Sequence, residues 1–176
     1  ANAPANLDPR FAPDATSARS NRLIDSPLVD LNQSYDPIPA LASWEKIAPT
    51  HFRFYLLDKR PMFHNGTPVT AQDVKATYDF ILDPHNTSPH RSSLAMIERI
   101  HAQGAATVDF YLSRPEPLLP SLLRIGILPE NLMEANYPFQ SQPIGSGPFS
   151  FLAQPDHTRL QLTRLKDQQL FEFIVV

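Results

Sequence analysis

At 176 residues, the chain is long enough for one domain with a real core or for two small subdomains. A net charge of −3, scattered along the sequence, builds neither the basic stripe that nucleic acid requires nor the basic amphipathic helix of a membrane-surface protein. No apolar stretch approaches the roughly 20 residues that span a bilayer, and the absence of cysteine excludes disulfides, thiol catalysis and thiolate metal sites together.

The first residues, Ala1 to Asn6, lack the positive charge and apolar run of a signal peptide, so any export leader is expected to be already gone. There are 19 prolines against 5 glycines, spread without a period and flanked by apolar residues. That pattern predicts short elements joined by stiff turns.

In chain order, a helix is predicted from about Thr16 to Asp25, ending before Pro27. Leu28 to Leu31 follows as a short extended piece. Asp36-Pro37-Ile38-Pro39 reads as a turn or polyproline segment, and Ala40 to Trp44 brings in the one tryptophan. His51 to Leu56 alternates and is aromatic-rich, which predicts a strand. Asn65-Gly66 marks a tight turn. Thr70 with Asp73 three residues on resembles a capping box, opening a helix that runs to about Leu82 with Val74, Tyr78 and Ile81 on one face.

Beyond a polar loop at 84–93, Leu94 to Ile100 reads as a short helix or turn. Thr107 to Ser113 alternates through Val108, Phe110 and Leu112, a half-buried strand. Leu118 to Ile125 and Glu130 to Ala135 look helical, with Ile127-Leu128-Pro129 extended between them. Pro143 to Pro148 is a glycine-rich loop. Phe149 to Ala153 and Arg159 to Leu165 form a strand pair, and Phe171 to Val176 is strongly strand-forming up to the last residue. An open apolar strand at that point suggests that the sequence was cut from a longer protein.

Three stretches stand in order: Pro39-Ala40-Leu41-Ala42-Ser43-Trp44-Glu45, Phe63-His64-Asn65-Gly66-Thr67-Pro68-Val69-Thr70-Ala71-Gln72-Asp73-Val74, and Pro143-Ile144-Gly145-Ser146-Gly147-Pro148-Phe149. With the early Leu7-Asp8-Pro9, this resembles the extracellular solute-binding protein family 5, the dipeptide, oligopeptide and nickel receptors of ATP-driven importers. The middle stretch is a strand end, a tight turn, a proline-fixed bridge and a capped helix, so it specifies a fold and not a reaction centre.

The resemblance implies an α/β (mixed α+β) fold: a type II periplasmic-binding-protein lobe, incomplete and with an inserted subdomain. Residues 1–38 and 140–176 would belong to the main lobe and 39–139 to the insert, with the second lobe absent. It implies a periplasmic or extracellular receptor, lipid-anchored in full-length form or free. Such a receptor captures a peptide-like solute and hands it to a membrane permease, with no cofactor and no direct membrane insertion. The rival reading is the ligand-sensing domain of a cytoplasmic transcriptional regulator, and a third is a purely structural module.

Candidate ligand contacts are polar residues on loops or facing a cleft. Ser146 and Gly147 offer a hydroxyl and backbone N–H groups, and their loop reads equally as a plain turn between strands. Arg91 suits a carboxylate, which arginine binds bidentately. The resemblance places Asn21 and Arg22 on the helix facing the cleft. His85, His90 and Asp83 raise a metal hypothesis, but no HExxH or cysteine pair supports it. Gly145-Ser146-Gly147 is not a G-x-S-x-G elbow. The carboxylates Asp25 and Asp30, or Glu116 and Glu130, share no evident context and read as solvated surface. No catalytic residue is assigned.

Overall fold

A computed structural model describes residues 6–12 and 14–174. Helix α1 (Ala15–Ile24) starts at Asp14, whose carboxylate accepts hydrogen bonds from the Ser17 amide and hydroxyl, a standard N-cap. A hairpin of β1 (Val29–Leu31) and β2 (Pro37–Pro39) follows. The sequence predicted a turn or polyproline piece there. An exposed edge strand tolerates proline at alternate positions, because every second residue need not donate to the ladder.

A four-stranded antiparallel sheet carries the larger core. Its strands are β3 (Ala42–Ala48), β4 (His51–Leu56), β5 (Ile97–Gln103) and β6 (Thr107–Leu112), in the order β3-β4-β6-β5. Helix α2 (Ala71–Leu82) covers one face, and Tyr78 meets Phe110 edge-on at 5.6 Å while Phe110 meets Phe54 at 5.2 Å. The Asp73 carboxylate accepts from the Thr70 amide at 2.7 Å, so the predicted cap forms. Gly66 turns with φ +85° between Phe63 and Thr67, where Asn-Gly was expected to turn.

Two further strands escaped the sequence reading. Strand β3 was read only as a place for Trp44. Strand β5 was read as helix or turn, because Ile97 and Ile100 have helical spacing. A bulge between Ile97 and Arg99 resolves this: the extra residue returns both isoleucines to the inner face.

Short helices α3 (Leu119–Leu122) and α4 (Glu130–Glu134) precede an antiparallel meander of β7 (Phe149–Asp156), β8 (Arg159–Arg164) and β9 (Gln169–Ile174). Here a second, smaller core joins Leu7 and Ile24 to Leu160 and Leu162, with Phe149, Phe151 and Phe173 packed against it. Strand β9 is an edge of its sheet. The last two residues of the strand-forming ending, 175–176, lie outside the described residues.

Candidate ligand pocket

The C-terminal end of α1 is gripped by three glycines. A Cβ on Gly147 would stand 2.6 Å from the Ile24 carbonyl carbon, and one on Gly145 would stand 2.2 Å from Asp25 Oδ1. From the other side, a Cβ on Gly126 would stand 2.4 Å from Asp25 Cβ. Contacts that close require residues without side chains. The Gly147 N–H donates to the Ile24 carbonyl at 2.7 Å, and the Ser26 hydroxyl donates to the Ser146 carbonyl at 3.0 Å.

His64 ties this junction to the tight turn. Its amide donates to the Gly145 carbonyl at 2.9 Å, and its Nε2 lies 2.9 Å from the Gly147 carbonyl. A carbonyl only accepts, so Nε2 carries the proton. Burial pushes the His64 pKa down, although the Gly147 hydrogen bond pulls it back in part. Two of the three stretches that carried the resemblance therefore meet at the end of α1.

A pocket of about 430 Å³ opens beside that end. Asn21 and Arg22 of α1, with Asp25 just past its end, form one wall, His90 and Leu94 another, and Arg124 with Gly126 a third. Asp25 is 4% exposed and neither carboxylate oxygen has a hydrogen-bond partner. Desolvation, reinforced by the negative charge of nearby Asp8, raises its pKa well above its ordinary value, because burial penalises the charged form. The reading of Asp25 as solvated surface is thereby corrected. Its burial depends on Gly126 and Gly145, which are remote in sequence.

His90 is half-buried with Nε2 unpartnered. Burial lowers its pKa, keeping the ring neutral. Arg22 forms an exposed ion pair with Asp30.

Of the five residues singled out from sequence, Asn21 and Arg22 line the pocket. Asn21 is buried, and both polar atoms of its side chain lack partners. Ser146 and Gly147 lie buried at the α1 junction, with the Ser146 hydroxyl unpartnered. Arg91 does not line this pocket; its Nε donates to the Leu82 carbonyl at 3.0 Å. The sequence reading did not include Asp25, His90, Arg124 or His64 among the ligand contacts. The glycines at 126 and 145 were the available signal for Asp25, yet nothing local says what they approach. Among the described residues no cluster of three or more His, Asp or Glu is arranged for a metal ion.

Two larger antiparallel sheets and a two-stranded hairpin, a capped helix on one sheet and a lateral pocket at the end of α1 make a mixed α/β lobe of the periplasmic-binding-protein class. The chain belongs to the bacterial extracellular solute-binding proteins, family 5, whose profile matches residues 36–168. It is 28% identical over 160 residues to a putative ABC transporter peptide-binding protein of Brucella ovis, covering 84% of this chain and 30% of that protein. It is 33% identical over 153 residues to the HTH-type transcriptional regulator SgrR of Salmonella choleraesuis, covering 82% of this chain and 26% of the regulator. The fold superposes on NikZ from Campylobacter jejuni in complex with Ni(L-His) with a TM-score of 0.86 at 23% identity, over 98% of this chain and 37% of NikZ. The chain thus spans about a third of the length of these relatives. Family 5 solute-binding proteins serve ABC importers and are typically periplasmic. Among the described residues, no helix is long and apolar enough to cross a membrane.

Proposed function

We propose that this chain supplies one wall of the two-lobed cleft of an importer's substrate-binding component. In this reading, residues 1–38 and 140–176 form the main lobe and 39–139 the inserted subdomain. The cleft captures a peptide-like solute and presents it to a membrane permease, in the periplasm or outside the cell, with or without a lipid anchor. No covalent step is involved. The observation that carries the reading is the pocket at the end of α1, where buried polar groups without protein partners lie beside a concave, partly apolar surface. Asn21 and Arg22 contact the solute, Ser146 and Gly147 act indirectly by fixing the end of α1 beside the pocket, and Arg91 stands outside the pocket as a further contact once the lobes close by hinge motion.

With one wall only, peptide affinity should be weak. The test is calorimetry and NMR titration of the chain with trialanine. Weak saturable binding that perturbs Asn21 and Gly126 is expected. Tight binding to the chain alone, or perturbations confined to another surface, would overturn the reading.

The similarity to SgrR favours a second reading, a solute-sensing domain of a regulator. The two diverge in what the gene encodes before Ala1: an export leader or lipobox supports transport, and a helix-turn-helix region supports regulation.

A further inference from the structure

We propose that the α1 pocket is a carboxylate site and that Arg124 is the residue that takes the anion. This rests on the reading of that pocket as the solute site and names the chemistry it selects.

The charges around the pocket decide the matter. Arg22 and Arg124 contribute two positive charges and Asp30 one negative. Asp25 is enclosed between Gly126 and Gly145 with its carboxyl oxygens buried, and burial disfavours the charged forms of both Asp25 and His90. With Arg22 offset by Asp30, Arg124 is the exposed charge of the pocket that has no counter-charge among the described residues.

That charge sits on one residue. Arg22 is engaged by Asp30, while Arg124 is exposed and has no hydrogen bond or ion pair within the described residues. Asp8 and Arg10, which do not line the pocket, form a buried ion pair with the Arg10 guanidinium 3.8 Å from the Phe80 ring centroid. A free guanidinium at the mouth of a concave site offers parallel N–H donors matched to a carboxylate. The Asn21 side chain, which lines the same pocket, has N–H donors without a protein partner. A cation would meet the unpaired arginine and would be repelled.

The test uses the isotope-labelled chain and small probes, which suit a single weak wall. Sodium acetate, sodium chloride and methylammonium chloride are titrated at matched ionic strength while the Arg124 Nε–H and the Ile125 and Gly126 amides are followed by NMR. Acetate should shift these signals along a saturable curve that chloride and methylammonium do not reproduce. Arg124→Gln should weaken acetate binding about tenfold, the factor set by losing one charge-assisted pair. Arg114→Gln, at an exposed arginine outside the pocket, should leave it unchanged. Equal shifts with chloride, a response to methylammonium in place of acetate, or full acetate binding by Arg124→Gln would each overturn the proposal. Trialanine binding that survives Arg124→Gln would sink the carboxylate site and leave the transport reading standing. Acetate capture at Arg124 without any peptide binding would do the reverse.

Discussion

Asp25 Oδ1 lies against Gly145 so closely that a methyl group on that glycine would stand 2.2 Å away, and no donor compensates the buried carboxyl. Residues 120 positions apart thus share one packing site at the end of α1. The stability and pH response of the pocket follow from it.

Gly145→Ala should be destabilising because the new methyl meets both the Asp25 carboxyl and the Ile24 carbonyl at 2.3 Å, and backbone cannot step aside cheaply. The expected loss is about 2 kcal/mol, which for a chain of this size lowers the thermal midpoint by roughly 4 to 8 °C. Differential scanning calorimetry measures it. An unchanged midpoint would mean that α1 is free to shift.

Asp25 should make the protein less stable as pH rises. Its folded pKa lies above its unfolded value of 3.8, so the folded state holds a proton that the unfolded state has released. The stabilisation is fully present below pH 3.8 and is lost as pH climbs through the folded pKa, at up to about 1.4 kcal/mol per pH unit. Asp25→Asn, neutral at every pH, should remove this component and be the more stable protein at pH above 7. Urea unfolding of both proteins across pH 4 to 9 gives the difference curve, and a flat one contradicts the buried acid.

Asp109 behaves in the opposite sense. Burial pushes its pKa up, but hydrogen bonds from Arg53 Nε at 2.8 Å and His51 Nε2 at 2.7 Å outweigh burial and hold it below the usual range. Its contribution is present above pH 3.8 and falls away in acid. Asp109→Asn should cost about 2 kcal/mol at neutral pH and little in acid, because it strands two charged or polar partners across β4 and β6. Chemical denaturation at two pH values tests both halves.

Asp73 has two duties. One oxygen caps α2 through the Thr70 amide, and the other accepts from the Glu130 amide at 2.8 Å, anchoring α4. Asp73→Ala should therefore cost more than a cap alone, about 2 kcal/mol, and hydrogen exchange should accelerate at both 71–74 and 130–132. Acceleration at α2 only would show that the second contact is unimportant.

The cap of α2, the turn at Asn65-Gly66 and strands β4 and β6 were legible in the sequence because each is coded locally. A hydroxyl and an acid three residues apart, a dipeptide tolerant of positive φ, and a strict two-residue alternation all act within one element. Strand β5 was misread because its bulge shifts the alternation into a helical spacing, and only pairing with β6 reveals the extra residue. Strand β3 has no alternation strong enough to show without its partner.

For the pocket, sequence reached Asn21 and Arg22 through a resemblance and missed Asp25, whose carboxyl looks like any solvated acid until Gly126 and Gly145 close over it. Whether an arginine is free or spent is likewise invisible in one dimension: Arg22 has Asp30, and Arg124 has no such partner among the described residues. Local chemistry thus determined the caps, turns and clear strands, since their energies come from neighbours along the chain. Only the tertiary structure decided burial, protonation and charge balance at the pocket, because those depend on groups brought together from opposite ends of the sequence.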